Sequence, residues 1–228
     1  MDLQTAMRER HSVRSYFDKP IPPDVIAQLQ EEIDACNREG LLSIRLFTEE
    51  PRAFDSFTAR YGQFQGVRNY LMMSGKKASD LEERVGYYGQ RIVLKATTLG
   101  LQSCWVGLTY NKRAVKRHLG SDEKLVCAIA LGYGTTQGTA HKNKDISTRY
   151  KLPADKAAPA WFMAGMEAAM LAPTAVNQQR FIFWLEDDIY VRAESTGGSY
   201  SRVDLGIAKY QFELGAGSAN FTWRASKF

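Results

Sequence analysis

Apolar residues recur at spacings of three and four in several stretches of the chain, a pattern typical of amphipathic helices. The longest stretch, "EERVGYYGQRIVLKATTLGL", ends at Gly100 and predicts a central helix. A second predicted helix begins after a proline pair in "PPDVIAQLQEEIDACNREG" and ends at Gly40. Further helices are predicted over residues 3–9 and in "NKRAVKRHLG", "PAWFMAGMEAAM" and "SRVDLGIAKYQFELGAG", the last with Gly215 behind it.

Short apolar or alternating runs, bounded by turn residues, predict the strands. These runs are "LLSIRLFTEE", "RNYLMMSGK", "SCWVGL", "EKLVCAIALGYG", "RFIFWLED", "IYVRAES" and "ANFTWRA". Between the fourth and fifth runs, the stretch from Thr135 to Pro159 is polar, basic and without a clear period. We expect it to be a connector that wraps the surface.

The two halves of the chain share an order of elements, which is helix, strand, strand, helix, strand. When the two long helices are aligned, Ile92 falls opposite Ile207 and Gly100 opposite Gly215. The period exceeds a hundred residues, so the pattern indicates an old duplication and excludes a solenoid. Amphipathic periodicity alone produces a fair share of such matches, which is the simpler interpretation.

The composition is that of a globular protein. Of 228 residues, 44% are hydrophobic and 24% charged, and the formal charge is +5, which favours anionic ligands only slightly. Cys36, Cys104 and Cys127 are far apart, with no CxxC pair and no histidine pair nearby. They are interpreted as reduced thiols of a cytoplasmic protein. No apolar run is long enough for a membrane span or a signal peptide.

The segment "RERHSVRSYF" concentrates positive charge beside a hydroxyl. If it is extended, Arg10, Ser12 and Arg14 point to one side; if it is helical, Arg10 and Arg14 still share a face. Either geometry predicts an anion cradle, because guanidinium groups pair with phosphate oxygens through planar hydrogen bonds. The alternative is a solvated basic segment.

Together with a second segment, "LAPTAVNQQRF" from Leu171 to Phe181, this stretch resembles the FMN-dependent nitroreductase family. The runs "LGLQSCWVGL" and "LVCAIALGYG" are similar to that family's helix and strand pair. The resemblance implies an α+β, nitroreductase-like fold with mixed, mainly antiparallel sheets flanked by helices, in two pseudo-repeated halves. It also implies FMN as the cofactor.

The resemblance implies three groups of FMN-binding residues. Those for the phosphate and ribityl chain are Arg10, His11, Ser12 and Arg14, with either Lys142 or Lys144 as a further cation. Those that pass under the flavin ring are Pro173, Thr174, Ala175 and Asn177. Those whose backbone meets the ring edge are Val106 and Gly107, where a glycine permits close approach. The family's proline and tryptophan after the second motif are replaced by Gln179, Arg180 and Phe181, so the acceptor pocket is expected to differ.

The order of the two motifs is unusual for the resembled family, whose ring-side motif follows the first signature after about one helix and serves the partner subunit. Here that motif lies in the second half. We therefore expect residues 1–150 to form an FMN-phosphate-binding module and residues 151–228 a degenerate second module that supplies the ring-side loop in cis. This predicts a monomeric pseudo-dimer with one complete site. The alternative is a conventional homodimer.

The implied function is an FMN-dependent oxidoreductase that uses NAD(P)H to reduce nitroaromatics, quinones or similar flat acceptors. No nucleophile–base pair or metal spacing emerges from the sequence, and we expect no catalytic side chain, since the cofactor supplies the chemistry. The alternatives are a non-catalytic flavin-binding or flavin-storage protein and, least favoured, a nucleic-acid binder. The last lacks any recognition pattern, so we expect neither a nucleic-acid nor a membrane partner.

Overall fold

The computed structural model describes residues 1–224 and 228. Within this part of the chain the α-helices are α1 (Leu3–Glu9), α2 (Pro23–Gly40), α3 (Phe57–Tyr61), α4 (Leu81–Thr98), α5 (Lys112–Lys116), α6 (Ala160–Met170) and α7 (Ser201–Ala216). The strands are β1 (Arg45–Phe47), β2 (Asn69–Lys76), β3 (Gln102–Val106), β4 (Glu123–Gly132), β5 (Tyr150–Lys151), β6 (Phe181–Glu186), β7 (Tyr190–Ser195) and β8 (Thr222–Trp223).

The strands form two four-stranded sheets, and the expected α+β class with mainly antiparallel pairing is confirmed. The first sheet has the order β1-β2-β4-β3 and is antiparallel throughout. The second has the order β5-β6-β7-β8, in which β6 and β7 are antiparallel while β5 and β8 join the edges in parallel. β3 is therefore an edge strand, and its register is set by pairs such as Cys104 with Ala130.

The two long helices α4 and α7 pack against each other at the centre of the molecule. Their backbones meet at a pair of glycines: a Cβ added to Gly86 would lie 2.0 Å from the Val203 carbonyl oxygen, and one added to Gly206 would lie 1.9 Å from that of Glu83. Close by, the buried ammonium of Lys209 forms an ion pair with the Glu83 carboxylate. The two halves of the chain are thus joined through backbone contact that only glycine permits.

The order of elements around each long helix is similar in the two halves. In the first half α2, β1 and β2 precede α4, and β3 follows it; in the second half α6, β6 and β7 precede α7, and β8 follows it. In both cases the strand after the long helix runs parallel to the strand before it. The halves differ in that β4 separates β2 from β3, whereas β7 pairs directly with β8.

Two regions of buried apolar side chains hold this arrangement together. The larger includes the face of β2 that carries Leu71 and Met73, the helices α2 and α4, and the second-half residues Phe162 and Phe212. The smaller lies on the opposite face of the first sheet, where Tyr70 packs beneath the segments around residues 13–16 and 53–67. The larger core therefore draws on both halves, whereas the smaller core is formed by the first half alone.

One of the two predicted glycine helix ends differs from the sequence expectation. Gly40 is the last residue of α2, as predicted, and the left-handed residue after it is Leu41, at φ 49°. Gly215 lies inside α7, which continues to Ala216 and is capped by Gly217, at φ 76°. Both glycines are also required for packing, because a Cβ would strike the Tyr88 ring at position 40 and the Ala164 carbonyl at position 215.

Several short elements were not expected from the sequence. The helix α3, the strand β5 and 3₁₀ turns at Pro51–Ala53, Ile146–Thr148 and Ala175–Asn177 all lie in stretches without a clear period. The expected last strand, "ANFTWRA", forms only over Thr222–Trp223, and its final residue, Ala225, lies outside the described residues.

Candidate functional site

A cavity of about 290 Å³ lies between the edge strand β3 and the first turns of α7. Its volume is at the lower end of the roughly 300–1,000 Å³ of small-molecule pockets. Residues from both halves of the chain line it: Ser12, Arg14, Cys104, Trp105, Val106, Gly107, Leu108, Thr109, Cys127, Pro173, Thr174, Ala175, Val176, Tyr200, Val203, Asp204 and Ile207. Seven of the twelve residues expected to bind a ligand are among them.

The segment after α1 reaches the cavity because it is extended along the edge of β3. Ser12 forms a parallel bridge with Ser103, and the Val13 amide donates to the Ser103 carbonyl at 3.0 Å. Side chains alternate in this conformation, so buried Val13 faces the core while Ser12 and Arg14 face the cavity. The extended alternative is therefore correct for this part of the basic segment.

Arg10 does not follow the same alternation. It is the residue that ends α1, and its backbone N–H donates to Ala6. Its side chain is only 5% exposed and borders a separate cavity of about 80 Å³, together with His11 and Ser103. Burial lowers the pKa of Arg10 to about 10. Within the described residues its Nε and Nη1 atoms are buried without hydrogen-bond partners, as is the Ser103 hydroxyl.

His11 is half-buried at the same smaller cavity. Its pKa is lowered, mainly by burial and further by the positive charge of Arg10 and by His141. The imidazole ring is therefore biased toward its neutral form, in which one nitrogen donates a hydrogen bond and the other accepts.

Val106 and Gly107 form the floor of the cavity where β3 ends. The ring of Tyr200 occupies the space that a side chain at position 107 would need, since an added Cβ would lie 2.6 Å from ring atoms. The Tyr200 hydroxyl also donates to the Gly107 carbonyl at 2.5 Å. Close approach to Gly107 is thus made by a tyrosine of the second half, a contact that the sequence did not indicate.

The loop from Pro173 to Gln179 forms the opposite wall. Val176, Asn177 and Gln179 all have positive φ, at 46°, 54° and 45°. A left-handed conformation is a genuine outlier for a β-branched residue, so the loop holds strain at Val176. The Val176 side chain is also 96% exposed at the rim of the cavity, where the exposed side chain of Leu108 joins it.

Asn177 does not line the cavity, although it was expected to lie under a ring. Its side-chain amide donates to the Lys142 carbonyl at 2.8 Å, and Gln179 donates to the same carbonyl at 2.9 Å. The Lys144 ammonium donates to the Gln178 carbonyl at 2.7 Å. The connector therefore holds this loop through hydrogen bonds on the side away from the cavity. The Lys142 side chain is exposed.

Asp204 is the one acidic residue that lines the cavity among the described residues. Its carboxylate accepts the Ala175 amide at 3.0 Å and the Gln178 side-chain amide at 2.6 Å. Burial raises its pKa to about 6, and these two hydrogen bonds oppose the rise. Burial also raises the pKa of the two cavity thiols, Cys104 and Cys127, so both are protonated at neutral pH.

The cavity thus has a cationic and hydroxyl-bearing side and an apolar side, an arrangement suited to a ligand with an anionic group and a flat ring. Sequence reasoning missed Tyr200 and Asp204 entirely. A single acid in the apolar run "VDLGIA" was the available signal for the second of them. The described residues hold no group of histidine, cysteine and acidic side chains arranged to bind a metal. They also form no helix that is both long and apolar enough to cross a bilayer.

Comparison with known proteins identifies a family and solved structures that are similar to this chain. The family model described as "Putative TM nitroreductase" matches residues 2–216. A putative nitroreductase of Thermotoga maritima is 22% identical with a TM-score of 0.65, covering 96% of this chain and 85% of that one. A putative nitroreductase of Desulfovibrio desulfuricans, solved in complex with FMN, is 19% identical with a TM-score of 0.55, covering 70% of this chain and 99% of that one. These likenesses show a shared fold. Among curated proteins, none matches the chain.

Proposed function

The chain belongs to the family described as "Putative TM nitroreductase", and from this premise we propose that it is an FMN-dependent oxidoreductase that uses NAD(P)H to reduce nitroaromatic, quinone or similar flat acceptors. The observation that carries the proposal is the shared cavity, in which Ser12 and Arg14 of the basic segment lie opposite the loop that begins at Pro173. Bound FMN would supply hydride acceptance from the nicotinamide and electron delivery to the acceptor.

The polar residues present fit the phosphate of such a cofactor. Arg14 supplies an exposed guanidinium and Ser12 a hydroxyl at the cavity. The buried Arg10 borders the separate smaller cavity, where its Nε and Nη1 have no partner among the described residues, so it would contribute positive charge without lining the same cavity as Ser12 and Arg14. A buried donor without a partner is costly, and an anion nearby would remove that cost. Of the two connector lysines, Lys142 is the better candidate for a further phosphate contact, since the Lys144 ammonium is bound to the loop backbone.

The rest of the lining fits a flat, largely apolar ring. Val106, Leu108, Val176 and Ile207 give the cavity its apolar surface. With no nucleophile activated by a base at this site, the contribution of the protein is to bind and orient the reactants and to exclude water. Arg14 would neutralise anionic charge at the cavity, whereas the Gly107 carbonyl already accepts a hydrogen bond from Tyr200.

We also propose that the site is completed in cis. Residues 1–150 would act as the phosphate-binding module and residues 151–228 as the degenerate module that carries the ring-side loop. Two observations support this: the cavity is lined by both parts of one chain, and the glycine contact between α4 and α7 leaves no space for a partner subunit at that position. Sedimentation or light scattering of the purified protein should give the mass of a single chain.

The experiment that tests the function is anaerobic titration of the purified chain after addition of FMN. We expect flavin absorbance to remain with the protein on gel filtration, to bleach with NADH or NADPH, and to return when a quinone is added. A protein that retains no FMN would refute flavin binding. A protein that retains FMN but responds to neither nicotinamide would refute the oxidoreductase and favour a flavin-binding or storage role.

A variant pair tests the phosphate contact directly. Arg14→Ala should raise the dissociation constant for FMN by roughly 10- to 100-fold, because a hydrogen bond to a charged group contributes about 1.5–3 kcal/mol. Arg38→Ala removes an equally exposed arginine, from the last turn of α2, and should leave FMN binding unchanged. Equal affinities for the two variants would exclude Arg14 from the site.

A further inference from the structure

Two residues at the start of α7 are bonded to opposite walls of the cavity. Tyr200 occupies the N-cap position just before the helix, and Asp204 lies one turn later, with its backbone N–H donating to the Tyr200 carbonyl at 2.9 Å. The Tyr200 hydroxyl donates to the carbonyl of Gly107, on the first-half wall. The Asp204 carboxylate accepts from the Ala175 amide and from Gln178, on the second-half wall. One turn of helix therefore spans the cavity.

We propose that Tyr200 and Asp204 are positioning residues that hold the two walls of the cavity at the separation required by the flavin ring. This inference rests on the proposed function, since it names the residues that set the geometry of the same site. Neither residue is assigned to the phosphate cradle or to the ring-side motif. Both act on the ligand through the backbone that they hold.

The first argument for this role is that the arrangement is costly to the fold. Asp204 is 2% exposed, and no lysine or arginine of the described residues forms an ion pair with it. Burying a carboxylate with two neutral donors disfavours its charged form, which is why its pKa is raised. An uncharged residue that keeps an acceptor, such as asparagine, would avoid the cost of the buried charge, so stability alone does not explain the acid.

The second argument is the strain in the segments that the two residues hold. Tyr200 itself has φ 61°, and the loop bonded to Asp204 contains Val176 at φ 46°. Bulky residues in the left-handed region persist only where surrounding contacts determine the conformation. The bonds from Ala175 and Gln178 to Asp204 bracket Val176 on both sides and provide such contacts. The energetic cost of burying Asp204 and the backbone strain at Tyr200 and Val176 therefore both occur at the cavity.

The test compares FMN affinity with fold stability in the full chain at neutral pH. Asp204→Asn keeps the shape but removes the charge and one acceptor, and Tyr200→Phe removes only the hydroxyl. Gln178→Ala removes the same contact with Asp204, together with the bond to the Ser199 carbonyl, without changing a residue of α7. Asp34→Asn and Tyr61→Phe, at exposed positions, are the matched controls.

We expect the FMN dissociation constant to rise roughly tenfold or more for Asp204→Asn and Gln178→Ala, and several-fold for Tyr200→Phe. The visible circular dichroism of the bound flavin should change in the same variants. The midpoint of denaturant unfolding without FMN should not fall for Asp204→Asn, because a buried charge has been removed. A purely structural role would lower stability and affinity together.

The outcomes separate the inference from the function on which it rests. A wild-type chain that binds no FMN refutes both. Wild-type binding with variants that stay within twofold of the controls refutes the positioning role alone. The same conclusion follows if each variant loses affinity only in proportion to a loss of fold stability. Weakened FMN binding by a chain whose unfolding midpoint is retained supports the inference.

Discussion

The buried carboxylate of Asp204 makes the stability of the protein depend on pH in a direction that can be worked out in advance. Its pKa is raised to about 6 in the fold from an ordinary value of 3.8, mainly by burial. Between these two values the folded chain binds more protons than the unfolded chain at this site. The contribution of Asp204 to the free energy of unfolding therefore falls as pH rises through that window. Above about pH 6 the destabilisation by the buried charge is fully present.

The size of the effect follows from the same two values. At 1.36 kcal/mol per pH unit, the difference between about 6 and 3.8 corresponds to about 3 kcal/mol. Asp204→Asn abolishes the titration and loses about 1–2 kcal/mol of hydrogen bonding at all pH values. The unfolding free energy of the variant minus that of the wild type should thus rise by up to about 3 kcal/mol between about pH 4 and about pH 7.5.

The assay is urea unfolding of both proteins at several pH values, with the difference taken at each. Carboxylates such as Asp2 and Asp145, whose pKa values are lowered chiefly by backbone hydrogen bonds, shift stability the opposite way but cancel in the difference. Asp34→Asn, at an exposed position of α2, is the matched control variant. A flat or falling difference for Asp204→Asn would refute the reasoning that burial destabilises this carboxylate.

Three further predictions concern the centre of the molecule and the strained loop. Gly206→Ala should destabilise the protein by at least about 1–3 kcal/mol in urea unfolding, because its Cβ would lie 1.9 Å from the Glu83 carbonyl; a smaller loss would mean that α4 and α7 separate easily. Glu83→Gln should lower the free energy of unfolding by about 3–5 kcal/mol, and adding Lys209→Met should restore much of that loss, as measured by a double-mutant cycle. If the effects of the two substitutions simply add, the two side chains are not energetically coupled. Val176→Asn should raise the unfolding free energy by about 1 kcal/mol, since asparagine tolerates a φ of 46°, and a loss of stability would argue against strain at this position.

Sequence periodicity was sufficient for the long elements because burial of one face dictates their pattern. The helix over Leu81–Thr98 and the strand over Asn69–Lys76 are confirmed where the apolar spacing predicted them. The structural roles of the glycines were harder to predict, because they depend on residues that are distant in the sequence. Gly40 ends α2 as its local signature predicts, whereas Gly215 lies inside α7, and close packing requires a glycine at both positions. Local sequence does not contain that tertiary information.

The basic segment shows the same limit at the level of single residues. Alternation along an extended chain correctly predicts that Ser12 and Arg14 share a side. It does not hold for Arg10, because α1 continues to Glu9 and its last turn directs the next side chain into a separate buried space. The sequence predicts the end of α1 at residue 9 correctly, but it does not reveal the docking of Ser12 and Val13 against β3, which orients the side chains after the helix.

The cavity is lined by both halves of the chain, and this explains why sequence analysis did not identify the residues that span it. Asp204 belongs to a helix whose periodicity indicates only burial, and Tyr200 lies just before it, so the contacts of both depend on where α7 crosses α4. The glycine pair at that crossing fixes α7 against the first half, and so fixes the distance from the carbonyl of Gly107 to the amide of Ala175. In the cis arrangement that we propose, no subunit association precedes assembly of the site, so the geometry of the cavity depends on the same contact that stabilises the fold.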